Sequence, residues 1–190
     1  PTIIHELGHI LVCKLFLGRV EDIVILHLRR NQEKRGAYGY AITYNKGKVA
    51  SALKAFSGYL TPPFVLLGVL YLNSIERLYI ALILALVVTL YILYKTSNKI
   101  PVIISVVITT IVLAILTSNG LIVEDMVNVF LGLLLGEVLL TLIKLPKFKN
   151  TGGWDGSFIR EEVMIPQTVS ILMWYIAIIP LLLASIFYII

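Results

Sequence analysis

Long apolar segments, separated by short polar ones, fill most of the chain after residue 50, and they limit its fold more than any other feature. Each is close to the ~20 residues that a helix needs to cross a bilayer. Hydrophobic residues make up 58% of the chain and charged residues 14%, whereas soluble domains have about 45–50% and about 25%. The chain is therefore predicted to be an all-α polytopic integral membrane protein. The predicted spans lie at 50–72, 77–94, 100–117, 126–144 and 166–190.

The N-terminal part combines a shorter helix with two strands. Residues 1–17 predict a helix, and with it the number of transmembrane helices is about six. The β-branched segment 21–28 and the alternating segment 36–44 predict a small β-hairpin after this first helix.

Two features mark the helix predicted at 50–72. Gly58 is expected to permit the close approach of another element, and the pair Pro62-Pro63 is expected to kink or break the helix. We expect a single membrane-embedded domain over residues 1–190. Its parts are the first helix (1–17), the β-hairpin region (18–49), four transmembrane helices (50–144), an Asp-containing loop (145–165) and the last transmembrane helix (166–190).

The first predicted helix carries the motif His5-Glu6-Leu7-Gly8-His9. Successive helical residues are about 100° apart, so His5 and His9 lie on one face, about one turn apart. Two imidazoles so placed can bind one Zn²⁺, and Glu6 beside them can accept a proton from a water that the metal activates. The flanking residues are apolar, and burying these three side chains among them is costly without partners. We therefore favour a metal site over a structural cluster of packed histidines.

A catalytic zinc site usually has a third protein ligand, and two residues are candidates for it. Asp155 lies in the glycine-rich segment 150–157, whose backbone can fold inward to bring a carboxylate to a metal. It can equally be a loop residue that caps a helix. Glu137 lies inside an apolar helix, where an ionisable group is a functional candidate by default. The residue types alone leave both open.

Other polar or reactive side chains are assigned structural roles. His27 falls in the predicted hairpin and is interpreted as a structural or surface residue. Glu161 and Glu162 follow an arginine in a charged run and are interpreted as a solvated face. Cys13 is the only cysteine, which excludes an internal disulfide framework and favours a small buried apolar residue.

The basic residues are distributed unevenly between the two predicted sides of the membrane. Nearly all lysines and arginines lie in or next to the loops 18–50, 95–99 and 145–165, whereas 73–77 and 118–125 contain only Arg77. The first side is therefore predicted to be cytoplasmic. This topology accounts for the net charge of +5, so the expected partner is the lipid bilayer and no nucleic acid.

Three elements occur in order along the chain: the motif helix with Leu17-Gly18-Arg19-Val20 and a strand after it, then Ser57-Gly58-Tyr59-Leu60-Thr61-Pro62, then Asp155 followed by Ile165-Pro166 and Trp174. In these the chain resembles the site-2 protease superfamily of intramembrane zinc metalloproteases, in particular its compact bacterial branch of site-2-protease-like membrane peptidases. The second element is similar to the A-G-Y-x-x-P segment of that branch.

The resemblance implies a Zn²⁺ held by His5, His9 and Asp155, with Glu6 as the general base. One difference concerns the third ligand. Better-known members carry N-P-D-G or L-D-G on a helix close behind the motif, whereas here Trp154-Asp155-Gly156 keeps only the D-G, four helices later.

The expected function is hydrolysis of peptide bonds in membrane-protein substrates, in or near the bilayer. The expected location is a bacterial cell membrane, with the active site toward the cytoplasmic side. A regulatory protein is a further candidate partner. The alternative is an inactive membrane scaffold or partner subunit that retains a zinc site. A transporter is disfavoured because the sequence has no inverted repeat. Since the chain starts at Pro1 and the motif follows within four residues, an upstream segment is also expected.

Overall fold

The computed structural model describes residues 2–25, 39–96, 99–118, 120–149 and 152–188, which form seven α-helices and one two-stranded sheet. The predicted hairpin turn and His27 lie outside these residues. The elements are α1 (Thr2–Leu15), β1 (Arg19–Ile25), β2 (Gly39–Tyr44), α2 (Lys48–Ser74), α3 (Leu78–Lys95), α4 (Lys99–Ser118), α5 (Gly120–Lys144), a 3-10 turn (Leu145–Phe148), α6 (Asp155–Val163) and α7 (Gln167–Phe187).

Four helices in the described part of the chain are long and apolar enough to cross a membrane: α2, α3, the span Val127–Phe148 and α7. Their outward faces are apolar as well; α3, for example, buries only Ile92. Such a surface suits lipid contact. By contrast, α1 has 14 residues and is about 21 Å long, shorter than the ~30 Å hydrocarbon core. The protein is thus a mostly helical membrane protein, and the count of six spans stays a prediction.

Helix α2 occupies the centre of the structure, where it packs against α1, α5, α6 and α7. It runs unbroken from Lys48 to Ser74, with Pro62 and Pro63 inside it and both buried. The expectation was a kink or a break: the pair does not break the helix, and the kink stays a prediction. A proline inside a helix costs about 3 kcal/mol or more through the lost hydrogen bond and the ring clash. Packing against these helices and against α3 offsets that cost.

The larger core joins α2 to α7 and to the segment that precedes α6. Trp174 on α7 is fully buried, and its indole N–H donates to the Phe56 carbonyl at 2.9 Å. The same indole stacks on the Phe56 ring at 5.3 Å and contacts the rings of Tyr59 and Trp154 at 4.9 and 5.6 Å. These contacts hold the residue before Asp155 against the middle of α2.

The sheet lies beside α1 and confirms the predicted strand pairing. Strands β1 and β2 run antiparallel, with a register irregularity between Val20 and Asp22. Val20 and Ile23 of β1 are buried with Cys13 of α1, and the Thr96 hydroxyl donates to the Ile23 carbonyl at 2.5 Å. Strand β2 packs directly against α1. The motif helix therefore lies between the sheet on one side and α2 on the other.

Candidate metal site and cavity

The two motif histidines project from α1 toward α2, as their spacing predicts. Both imidazoles are partly buried, and their Nε2 atoms lie 3.1 Å apart. The ring of His9 is oriented by α2: its Nδ1 lies 2.7 Å from the Lys54 carbonyl oxygen. A carbonyl only accepts, so Nδ1 carries a proton and donates it to this oxygen, which directs Nε2 toward His5 and Asp155. Histidines that bind metals are commonly held in this way by a group behind the ring.

Asp155 reaches the same point from the other end of the chain. Gly153 adopts φ +78°, a conformation that glycine takes without strain, and α6 begins two residues later. The Ser157 hydroxyl accepts the Trp154 N–H at 3.1 Å and fixes this start. Segment 145–165, predicted as an Asp-containing loop, thus contains a 3-10 turn and a helix with Asp155 as its first residue.

The carboxylate of Asp155 completes a cluster of three metal-binding side chains. Its Oδ2 lies 3.1 Å from His5 Nε2 and its Oδ1 lies 3.4 Å from His9 Nε2. Burial acts to raise the pKa of Asp155, but the charge of His9 and the hydrogen bond and charge of His5 outweigh it, so this pKa lies below its usual range. The aspartate is therefore an anion at neutral pH.

The spacing of these donor atoms fits a tetrahedral metal ion. Zinc binds histidine nitrogen and carboxylate oxygen at about 2.0–2.2 Å, so two ligand atoms of one tetrahedron lie about 3.3–3.5 Å apart. The three pairs here are separated by 3.1, 3.1 and 3.4 Å. Two neutral nitrogens and one carboxylate are also a donor set that zinc favours. The residues present thus fit a zinc ion.

Gly58 provides the space in which the two imidazoles sit. A Cβ at this position would lie 2.6 Å from Cε1 of His5, and 2.5 and 2.7 Å from Cε1 and Nε2 of His9. The expected close approach at Gly58 is confirmed, and the groups that approach are the histidine rings. The next residue, Tyr59, meets the His5 ring edge to face at 4.7 Å. Helix α2 therefore contacts both histidine rings at Gly58 and the His5 ring at Tyr59, and it also accepts the hydrogen bond of His9 at Lys54.

Changing Gly58 to alanine is expected to weaken zinc binding by about 10–100-fold, the range seen when groups behind metal ligands are altered. The new methyl group must displace the two rings, because it cannot share their space. A competition titration with a zinc chelator measures the effect. Gly68→Ala is the matched control, since that position on the same helix has open space around it. Equal zinc affinity in the two variants would contradict this role of Gly58.

Glu6 lies beside the cluster and is held by the sheet. The side chain is buried, and its Oε2 accepts the Ala41 N–H of β2 at 2.9 Å. Among the described residues its other oxygen forms no hydrogen bond, so it has acceptor capacity left. One oxygen thus fixes the carboxylate, and the other is free to take a proton.

A cavity of about 1120 Å³ opens onto these residues. One side is formed by β2 and the residue after it, Asn45, and another by aromatic side chains around α6. The aromatic residues are Tyr59, Phe148, Trp154 and Phe158. Such a mixture of strand backbone and apolar rings suits a peptide segment better than a small polar metabolite.

The remaining predicted residues take different positions. Within the described residues, the group that could hold a metal ion consists of His5, His9 and Asp155, and Glu137 is not part of it. Glu137 is nevertheless close enough for its charge to act on His5. Glu161 is exposed, as expected for a solvated face, whereas Glu162 lines the cavity.

Sequence reasoning missed one residue of the site, Lys54. It was counted with the basic residues that set the membrane topology. Yet its carbonyl holds His9 and its side chain lines the cavity. The available signal was its position one turn before Gly58 in an otherwise apolar stretch, because residues four apart share a helix face.

Comparison with known proteins agrees with this geometry. No curated protein and no solved structure matches the sequence significantly. The family model described as "Peptidase M50B-like" matches residues 1–186, and so includes the motif helix, α2, Asp155 and α7. This match covers nearly the whole chain, so the protein belongs to the M50B-like peptidases of the site-2 protease superfamily, a family of membrane metallopeptidases.

Proposed function

We propose that this protein is a zinc endopeptidase that hydrolyses peptide bonds of membrane-protein substrates in or near the bilayer. The observation that carries this is the meeting of His5, His9 and Asp155 at 3.1–3.4 Å beside the buried Glu6. Family membership supports a metallopeptidase in general terms. The zinc ion, its three ligands and the reaction are what we add.

The proposed roles follow from the position of each side chain. His5, His9 and Asp155 would hold Zn²⁺, which when bound supplies Lewis-acid activation of a water and of a carbonyl. Glu6 takes the proton of the attacking water with its free oxygen and later gives it to the leaving amine. Its other oxygen stays on the Ala41 N–H, which keeps the carboxylate in place during both transfers.

The substrate is proposed to bind as an extended strand along β2. A helix encloses its own carbonyls, so a membrane segment must open before any of them reaches the site. Residues 41–45 of β2 and its end line the cavity. Glu6 and Lys54 occupy the Ala41 N–H and the Thr43 carbonyl of this edge. An extended segment would therefore gain its backbone hydrogen bonds from the Ala41 carbonyl and the Thr43 N–H, a known mode of peptide recognition. On the basis of the positive-inside pattern we also propose that the site faces the cytoplasm and that the membrane is a bacterial cell membrane.

The test combines metal analysis with a cleavage assay on the purified protein in detergent or lipid. We expect bound zinc by mass spectrometry, cleavage of a panel of transmembrane segments, loss of cleavage with a chelator and recovery on adding zinc back. Zinc binding without cleavage of any segment would instead favour a scaffold that retains a metal site. Absence of zinc from protein prepared without chelators would overturn the metal site itself.

A further inference from the structure

The side chain of Lys54 brings a positive charge into the cavity. Its ammonium group donates to the Thr43 carbonyl of β2 at 3.2 Å. Among the described residues that line the cavity, it is the only lysine or arginine, beside the acids Glu6, Asp155 and Glu162. Its positive charge helps to lower the pKa of Asp155, so the ammonium interacts electrostatically with the cluster of His5, His9 and Asp155. An ammonium has three N–H donors, and the Thr43 carbonyl uses one of them.

Lys54 and Glu6 hold the same edge of β2. Glu6 accepts the Ala41 N–H and Lys54 donates to the Thr43 carbonyl. Residues two apart on a strand direct their backbone groups to the same edge, so both side chains lie on the edge turned away from β1. The Ala41 N–H and the Thr43 carbonyl that they hold are about 9 Å apart along the strand, since the two groups lie at the outer ends of a three-residue stretch. One peptide group, about 3.8 Å between its Cα atoms, fits in that gap.

We propose that Lys54 is a further catalytic residue, which stabilises the negative charge that develops on the scissile carbonyl oxygen. This rests on the proposed peptidase function. Addition of water forms a C–O bond, breaks the carbonyl π bond and leaves a negative charge on the carbonyl oxygen, while a proton of the water passes to Glu6. The Lys54 ammonium donates a hydrogen bond to that oxygen. The C–N bond then breaks, the carbonyl re-forms and Glu6 returns the proton to the amine.

Charge makes Lys54 suited to this step and less suited to a purely structural one. A neutral donor could also bind the Thr43 carbonyl, although less strongly, whereas the hydrogen bond of an ammonium is strongest when its acceptor is charged. The acceptor charge is largest in the tetrahedral state, so the interaction favours the transition state over the bound substrate. Its effect should therefore fall on kcat more than on KM.

The test compares Lys54→Gln with Lys54→Arg in the zinc-loaded protein. Glutamine keeps a polar N–H donor on a slightly shorter side chain but has no charge, and we expect it to lower kcat by about 10²–10³-fold, as for other oxyanion donors. Arginine restores the charge and should recover part of the rate. A tetrahedral phosphonamidate peptide should lose affinity for Lys54→Gln by a similar factor, while an uncleavable substrate-like peptide should not. Lys48→Gln, an exposed lysine on the same helix, is the control.

The outcomes separate this proposal from the peptidase function. Wild-type protein that cleaves no segment refutes the function, whereas equal kcat in wild type and Lys54→Gln refutes only the role of Lys54. A loss confined to KM, or equal losses for the phosphonamidate and the substrate-like peptide, would assign Lys54 a structural role instead. Zinc content and thermal stability of each variant show whether it has folded. Should Lys54→Gln not fold, Lys54→Met is read in the same assays with the same expectations.

Discussion

Replacing Glu6 with glutamine is expected to lower kcat by about 10²–10⁴-fold, the contribution of a well-placed acid–base group. The amide has nearly the shape of the carboxylate, and its oxygen can still accept the Ala41 N–H that now holds Glu6. Packing around α1 should therefore survive. The amide cannot take the proton of a water, so the chemical step should be lost. Cleavage of a transmembrane segment, with turnover measured at saturating substrate, tests this.

Zinc content distinguishes a lost base from a lost metal. Glu6 is outside the group formed by His5, His9 and Asp155, so Glu6→Gln should bind as much zinc as wild type. Glu161→Gln removes an exposed carboxylate from α6 and serves as the control. Full turnover by Glu6→Gln would refute the mechanism, and loss of its zinc would mean that Glu6 takes part in metal binding.

The sequence predicted the local elements well because their signals are local. Helical spacing put His5 and His9 on one face, and alternation gave the paired strands of the sheet. The missing side chain at Gly58 marked a close approach. The part of the chain that approaches could not be read from α2 alone, because contacts between α1 and α2 are made in the tertiary fold.

Two features of the fold depend on packing that the sequence does not display. Pro62 and Pro63 disfavour a helix locally, yet α2 continues through them and packs against five other helices. The segment 155–163 is short and has a charged run, Arg160-Glu161-Glu162, near its end, so the sequence predicts part of a loop. It forms a helix after the turn at Gly153, with Trp154 packed on Trp174. In both places tertiary contacts outweigh local preference.

The choice of third metal ligand between Asp155 and Glu137 also depends on tertiary contacts that the sequence does not display. Both are carboxylates near apolar helices, and residue chemistry left them as alternatives. The structure places Asp155 within 3.4 Å of both histidines, across a separation of about 150 residues in the chain. Only a resemblance to a family could indicate such a distant pairing beforehand, since no local pattern connects α1 with α6.

Changing Asp155 to alanine is expected to lower zinc affinity by at least about 100-fold, the upper end of the effect of altering groups behind a ligand. The reason is twofold: one of the three donors is removed, and with it the anion that neutralises part of the charge of the metal. Glu137→Ala should retain zinc, because Glu137 is not part of the cluster in the described residues. Zinc per chain by mass spectrometry, and affinity by chelator competition, measure both variants.

The comparison is informative because the two substitutions each remove one carboxylate that acts on His5. If zinc bound only because of a negative field around the histidines, both variants should weaken it by similar factors. If the metal needs a donor atom at a fixed point, only Asp155→Ala should lose it. Loss confined to Glu137→Ala would move the third ligand to α5 and would require α5 to come closer to α1. Metal-free thermal melting of both variants checks that a lost ligand is not a lost fold.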